Sequence, residues 1–553
     1  MALAATTIFE VETGGSDTLN GGAFDPGQTA GMFTDGAATV ANTSAPVFTS
    51  ASYNFVAGDV GAWLFVGAGT NWTQGWYTIA SVAGGAATLD GTIGAAVTKI
   101  PVAPTTVVGC ATVASPTGAT WSIDYSQQAA AQFAYTDLAS VGAGLLVSSA
   151  LLPFGKQQVG NALVITGGTN FTTGRYVIAS VAAGVATVLG VGNITTGAGS
   201  AGTGGQGGAL ASLGQTAAHV VASNQVFQQT GSYTITSAST NIAGGCWSTN
   251  LISLLIEGYS SVRGDLAPVG AAGVRPINTA SGIATFTMLT NALAAGVLRH
   301  LRFDGAGLTS SRGVASSLQV VNVHGQNFTN SAFASNATTG SSYFWCSATG
   351  CSAQPAFTGA GTYHACVAYS NTVTGFNTAS AFATSLHVNC LSYNNSGAAS
   401  DGFTDIGQVA SKLNCTAYGN GRDGFRQFTS MQSLINCVAE NNTGAGFTLS
   451  SIGQALVNCA GYNNTGGNTV TTSATHQLVT GFIDGTAELF TNPGAGDFSL
   501  NTTSGGGALL RAAGYPGVFP VGLTTGSLDV GAVQHADAGG GGAAQMQIGF
   551  GVQ

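Results

Sequence analysis

Charge is what this sequence has least of. Only 6% of its 553 residues are Asp, Glu, Lys or Arg, against roughly 25% in an ordinary soluble domain. Twelve basic residues and a net charge of −9 leave no basic face for nucleic acid. No apolar run reaches the roughly 18 residues that a membrane-spanning helix needs. The opening Met1-Ala2-Leu3-Ala4-Ala5-Thr6-Thr7 lacks the basic start and long apolar stretch of a secretion signal, so synthesis in a cytoplasm is expected. No Cys-x-x-Cys occurs, and Cys346 with Cys351 is too little for zinc, so no metal is expected. No Ser-His-Asp arrangement or phosphate-binding loop is present. What abounds is glycine, 84 residues, within a 44% hydrophobic chain. That apolar content is enough to bury a core and argues against disorder. The length allows three or four domains.

The strongest pattern is a column of Asn-Cys pairs. Asn389-Cys390, Asn414-Cys415, Asn436-Cys437 and Asn458-Cys459 recur at 25, 22 and 22 residues, and Cys366 and Cys346 extend the series backwards. A turn asparagine keeps step at Asn371, Asn395, Asn420, Asn442 and Asn464. An apolar position usually preceded by glycine does the same at Phe376, Phe403, Phe425 and Phe447. Such a period signals stacked repeats. Leu413, Cys415 and Ala417, then Ile435, Cys437 and Ala439, alternate with polar residues, which predicts short strands with one face inside. The turn asparagines suit a left-handed bend, with amides stacking from coil to coil. The fold expected is all-β: a parallel β-helix. The cysteines then occupy one inward position, as small buried hydrophobes in a reduced column.

A second repeat lies upstream. Residues 61–82, from Gly61-Ala62-Trp63-Leu64-Phe65-Val66 onward, recur 99 residues later from Gly160-Asn161-Ala162-Leu163-Val164-Ile165. Alternating strands broken by Gly and Asn turns predict two copies of a small antiparallel β module. Trp63, Trp72 and Trp76 are expected to form the core of the first. The domains read as a lead-in segment 1–30, modules 31–118 and 119–196, a Gly-rich linker 197–208, the β-helix 209–480, a C-terminal cap 481–538, and a Gly-rich arm with a terminal strand 539–553.

The lead-in Glu12-Thr13-Gly14-Gly15-Ser16-Asp17, the stacked strands, and the close Asn492-Pro493-Gly494-Ala495-Gly496-Asp497 resemble right-handed parallel β-helix proteins of the pectate-lyase-like superfamily. With duplicated modules ahead of the helix and very low charge, the chain resembles bacteriophage tail-fibre and tailspike virion proteins. That resemblance implies a fold serving lyases, hydrolases, adhesins and tailspikes alike, so function rests on particular residues.

Coils 22 residues apart bring Asp401 beside Asp423, flanked by Arg422, Asp405 and Arg426. Two carboxylates about 5 Å apart suit a retaining glycosidase. The alternative is that each aspartate caps a turn and arginine neutralises the column. A weaker candidate is the outward row His300, Arg302 and Asp304 abutting His324. Tyr369, Tyr393, Tyr418 and Tyr462 share one outward column, interrupted by Glu440, and serve either as a platform for sugar rings or as a subunit contact.

The leading reading is a structural and attachment protein of a bacteriophage particle, located in the virion. Its partners would be copies of itself as a trimer or higher assembly, other virion proteins and host surface glycans. The first alternative is a polysaccharide depolymerase acting through Asp401 and Asp423. Only this lyase-type alternative brings in a cofactor, Ca²⁺. The second alternative is a bacterial surface adhesin or self-assembling sheath, located outside the cell.

Overall fold

A computed structural model gives the fold. It describes residues 6–38, 46–70, 72, 74–90, 116–140, 144–190, 193–213, 216, 224–235, 252–260, 263, 275–281, 287–290, 295–308, 312–315, 319–335, 341–378, 384–406, 409–427, 432–471, 477–511, 513–514 and 529–534. The described elements are strands and short 3-10 turns, and the chain divides into two units.

Unit 1 begins with β1 (Ile8–Val11) and β2 (Ala23–Phe24). Two closed six-stranded barrels follow. The first contains β3 (Phe33–Ala38), β4 (Val47–Thr49), β5 (Trp63–Thr70), β6 (Gly75–Ala83), β7 (Ala86–Asp90) and β8 (Thr117–Asp124), closed in the order β3-β4-β7-β6-β5-β8. The second contains β9 (Phe133–Ser140), β10 (Leu146–Ser148), β11 (Ala162–Phe171), β12 (Gly174–Ala182), β13 (Val185–Leu189) and β14 (Thr195–Gln206), with the same circular order. Even the bulges repeat, between Ile79 and Ser81 in β6 and between Ile178 and Ser180 in β12. The duplication therefore extends to the points where the ladder is re-aimed.

Two of the expected boundaries move. Residues 197–208 are not a linker, because most of them form β14, which pairs with both β9 and β11. Their glycines reflect crowding. A Cβ on Gly204 would lie 2.2 Å from the Val164 carbonyl oxygen, and one on Gly202 would lie 2.7 Å from the Leu138 Cβ. Nor do the modules simply precede the stacked strands. β1 pairs in parallel with β15 (Gln225–Gln229), which pairs in parallel with β16 (Ile252–Tyr259). The lead-in segment is thus the first strand of that sheet, and both barrels are inserted between it and its neighbour.

Unit 2 contains a parallel β-solenoid over residues 277–484. Each coil contributes a strand to three sheets: sheet I (for example Val409–Leu413), sheet II (Thr416–Tyr418) and sheet III (Phe425–Gln427). Successive coils pair in register, Phe376 on Phe403, Phe425 and Phe447. These rings stack face to face with centroids 4.8–5.0 Å apart, and Phe333 and Phe357 extend the column. Phe333, Phe376, Phe403, Phe425 and Phe447 are all essentially buried. Tyr343, Tyr363 and His387 form a second interior stack.

The alternation expected through Leu413, Cys415 and Ala417 breaks at the corner. Asn389, Asn414, Asn436 and Asn458 adopt left-handed φ of 49–54°, which resets the parity of the strand. The inward residues are therefore Lys412 and Leu434, while Leu413 and Ile435 are only half-buried. The second corner divides its work between neighbours. Ser370, Asn394, Gly419, Asn441 and Asn463 take the left-handed bend, and the next residue forms the ladder. There the Asn371 Nδ2 donates to Asn395 Oδ1 at 2.8 Å, Asn395 to Asn420 at 2.8 Å, Asn420 to Asn442 at 2.9 Å, and Asn442 to Asn464 at 2.8 Å. A Cβ on Gly424 would meet Asn442 Nδ2 at 2.9 Å, so glycine before each phenylalanine lets the ladder approach.

The seven described cysteines are free and buried. Cys346, Cys366, Cys390, Cys415, Cys437 and Cys459 each point an S–H at a carbonyl of the preceding coil, 3.3–3.6 Å away. Burial pushes the thiols of Cys366, Cys390, Cys415 and Cys437 well up, so they carry little nucleophilic thiolate. Beyond residue 484 the chain turns back. The hairpin Phe490–Asn492 and Asp497–Leu500, with Leu510 and Val530, packs on the outer face of sheet II at Val367, Leu391, Tyr393, Val438 and Ala460. The terminal arm 539–553 lies outside the described residues.

Candidate functional site

The aspartates expected to form an acid pair are built into the turns between sheets II and III. Asp401 is fully buried. Its Oδ1 accepts from Arg422 Nε at 2.6 Å and from the Asp423 N–H at 3.1 Å. Its Oδ2 accepts from Arg422 Nη2 and Thr404 Oγ1, both at 2.5 Å. Asp423 repeats the arrangement one coil on, with Oδ1 accepting from the Ala445 N–H and Oδ2 from Thr448 Oγ1, both at 2.9 Å. Each carboxylate thus braces the backbone of the next coil. Arg426 approaches Asp423 at 4.0 Å.

Asp405 leaves the group altogether, because it points into the solenoid. There it is ion-paired with the inward Lys412 and accepts from Thr378 Oγ1 at 3.0 Å. His387 stacks one coil before Lys412. Burial, then the Lys412 charge, holds its imidazole well below the usual range, so it is neutral. An interior ion pair in a stack of aromatic and aliphatic columns is a polar insert that only mutual pairing makes tolerable.

The histidine row separates as well. His300 is buried at a corner in the left-handed region, φ 58°, its Nδ1 2.9 Å from Asn322 Nδ2. It occupies the corner position taken later by Asn389, not the outward row. Arg302 and Asp304 do lie outward, with His324 in register beside Arg302. Asp304 accepts from Gln326 Nε2 at 2.6 Å, Asn327 Nδ2 at 3.0 Å and the Ala306 N–H at 2.8 Å. His324 Nδ1 meets Ser347 Oγ at 2.8 Å. All but the Ala306 bond join adjacent coils.

The tyrosine column is roofed by the chain itself. Tyr369 stacks on Tyr393 at 5.3 Å, and Phe498 of the C-terminal hairpin sits 4.9 Å from Tyr393 and 5.5 Å from Tyr418. Tyr393 is buried, while Tyr369, Tyr418 and Tyr462 are half-buried beside the same hairpin. A flat row open to sugar rings is not what this face presents.

Three groups went unread in the sequence. Glu440, noted only as an interruption of the tyrosines, is fully buried beneath the hairpin, its Oε1 accepting the Leu489 N–H at 3.2 Å. Burial pushes its carboxyl up to about 8. In unit 1, Glu10 of β1 receives Arg263 Nε at 2.8 Å and the Tyr259 hydroxyl. Burial raises its carboxyl to about 7, against the opposing pull of Arg263. Arg263 also reaches Asp124 at 3.3 Å and lies 4.5 Å over Trp63 and 5.5 Å over Trp76. The expected tryptophan core is therefore divided. Trp72 lies in the barrel interior with Trp121, while Trp63 and Trp76 face outward, with the guanidinium over both rings. Among the described residues no cluster of three His, Cys, Asp or Glu side chains could hold a metal ion.

No protein-family model matches the chain. No curated protein matches it. Solved structures similar to it include the A-module of Azotobacter vinelandii mannuronan C-5 epimerase AlgE6, at 12% identity over 48% of this chain and 91% of that one, with a TM-score of 0.26. A rhamnogalacturonan lyase is 15% identical over 46% of this chain and 64% of that one, TM-score 0.22. Pectate lyase Pel9A is 10% identical over 59% of this chain and 92% of that one, TM-score 0.27. At these values the likenesses carry no assignment of activity.

Proposed function

We propose that this chain is a passive structural and attachment component of a particle, with a bacteriophage fibre or tailspike as the particle class. Its solenoid serves as a stiff rod, and any host-surface contact is made by its outer faces. The observation that carries this reading is the state of Asp401. Its two oxygens take four donors, it has no exposure, and the Asp423 carboxylate repeats the same brace. A general acid needs a proton, and a nucleophile a lone pair, aimed at substrate, and Asp401, the first member of the expected pair, is free to present neither. The side chains that look chemical in the sequence hold one coil to the next.

Two measurements test this. Purified full-length chain is incubated with bacterial capsular and cell-wall polysaccharides and acidic plant glycans, followed by assays for reducing ends and for unsaturated products. No turnover is expected. Turnover abolished by Asp401→Asn, with thermal stability retained, would establish the depolymerase reading instead. Mass spectrometry of purified phage particles from the source culture is expected to find the chain at stoichiometric copy number. Its absence from particles and presence on the cell surface would favour the adhesin.

A further inference from the structure

Asp405 and Lys412 face each other inside the solenoid from the two sides of one corner. Asp405 ends the sheet III strand Phe403–Asp405, and Lys412 lies in the sheet I strand that follows, Val409–Leu413. Their side chains are 2% and 1% exposed, and Lys412 Nζ is in direct contact with Asp405 Oδ2. Aromatic rings wall the pair. Phe403 stacks on Phe425 at 4.8 Å and meets the His387 ring edge-on at 5.9 Å, and His387 is in register with Lys412. The second Asp405 oxygen, Oδ1, accepts from Thr378 Oγ1 at 3.0 Å, and Thr378 Oγ1 lies 2.9 Å from Ser385 Oγ. Because the Thr378 hydrogen is committed to Asp405, Ser385 is the donor in the second bond. A nitrogen nucleophile, an acyl carbon and a donor on the acyl oxygen thus meet in one dry place.

We propose that Lys412 and Asp405 condense to an amide between Nζ and Cγ, so that the mature chain carries an isopeptide crosslink at this corner. The ammonium passes one proton to Oδ2 across the ion pair, leaving an amine beside a carboxylic acid. The Nζ lone pair then attacks Cγ. The charge that develops falls on Oδ1, where the Thr378 hydroxyl is already placed to receive it. A second proton leaves the nitrogen for Oδ2, the Cγ–Oδ2 bond breaks, and water departs. Of the three ammonium hydrogens one stays on the amide and two leave with Oδ2; nothing is oxidised or reduced. Gln427, in register with Asp405 and 1% exposed, offers the departing water a donor and an acceptor. Two terms drive the step. Fixed contact supplies an effective molarity of roughly 10⁵–10⁸ M. In water the two ions are well solvated and hydrolysis is favoured, whereas here both have lost that solvation, and a neutral amide relieves the cost. The ring closed spans only residues 405–412, so the crosslink acts chiefly by removing two buried charges rather than by restricting a long loop.

The test is intact-mass spectrometry of the full-length chain, freshly purified and after ageing in its folded state. The expected mass is that of the sequence less one water. Trypsin acting on the denatured chain is expected to leave the Lys412–Leu413 bond uncut, because an acylated lysine is no longer a cation, while cutting after Arg422 and Arg426. Fragmentation of the peptide that spans this region should release no ions from backbone breaks between residues 405 and 412, where the chain is a closed ring. Lys412→Arg keeps a cation at the position and is expected at full mass, as is Lys412→Met with Asp405→Leu. The measurement on the native sequence stands whether or not these variants fold. Full mass with ready cleavage after Lys412 in aged, folded protein would overturn the proposal. So would a missing water in a chain still cut at Lys412, which places the loss elsewhere, or a missing water that persists in Lys412→Arg.

Discussion

Replacing Glu440 by Gln should remove a pH-dependent weakness in the C-terminal hairpin. Glu440 is fully buried between sheet II and Leu489, and its folded carboxyl titrates near 8 where an exposed glutamate titrates at 4.5. The folded chain therefore holds a proton that the opened chain releases. The stability this contributes is complete below about pH 4.5 and is lost as pH rises toward 8, at about 1.4 kcal/mol per unit. Between pH 5 and 8 the hairpin of the native chain should weaken by about 3.5 kcal/mol, equivalent to a rise of roughly 400-fold in its opening equilibrium. Glutamine keeps an acceptor for the Leu489 N–H at nearly the same volume and cannot ionise. Its hairpin should therefore hold its closing constant across this range. Hydrogen exchange of peptides covering 486–511, corrected for the intrinsic pH dependence of exchange, reads the opening directly. Native and variant chains should differ little in slope below pH 4.5 and diverge steadily above it. Parallel pH profiles for the two chains would refute the assignment of the proton to Glu440, as would a native hairpin that opens more readily in acid.

Other substitutions probe the stacked coils. Asn420→Ala removes an acceptor for the Asn395 N–H and Nδ2 and donors to Asn442 Oδ1 and the Ser392 carbonyl; leaving these buried groups unpaired should cost about 3–5 kcal/mol in urea denaturation. Lys412→Met strands the Asp405 carboxylate inside the solenoid and should cost about 3–5 kcal/mol, whereas Lys412→Met with Asp405→Leu should recover most of it. Phe425→Ala interrupts a stack with rings 4.8 and 5.0 Å away on either side, for an expected loss of about 3–5 kcal/mol. The seven described cysteines should resist a thiol reagent in the native chain and react only after denaturation, since all are buried; rapid native labelling of Cys415 would contradict the packing.

The solenoid was legible because its constraint recurs. An inward cysteine, a corner asparagine and a stacked phenylalanine return each coil, so one error in register would conflict with several columns at once. What escaped was set at the corners. The left-handed turn at Asn414 shifts parity, so Leu413 is turned aside and Lys412 goes inward, which alternation alone would not predict. β1 was missed because four residues carry little pattern and their parallel partner begins at Gln225. β14 read as a linker because the glycines that crowding demands in a barrel look like the glycines of a flexible chain. Asp401 and Asp423 lie on neighbouring coils, but their hydrogen-bond partners, the Asp423 and Ala445 backbone amides, leave no trace in side-chain spacing. Glu440 was visible only as a break in an aromatic column, since the hairpin that buries it is about fifty residues away along the chain.

The insertion of both barrels between β1 and β15 governs the order in which this chain acquires structure. β1 precedes its parallel neighbour by more than two hundred residues along the chain. Closing so long a loop from an unfolded chain is slow and entropically unfavourable. Each barrel, however, closes through antiparallel pairs made within its own stretch of about ninety residues or fewer. Once both have formed, the distance between β1 and β15 is set by two small folded bodies, and the first parallel pair becomes a short-range event. The barrels then act during synthesis as an internal jig for starting the parallel sheet. Mutations in their cores should appear first as slow or misregistered solenoid assembly.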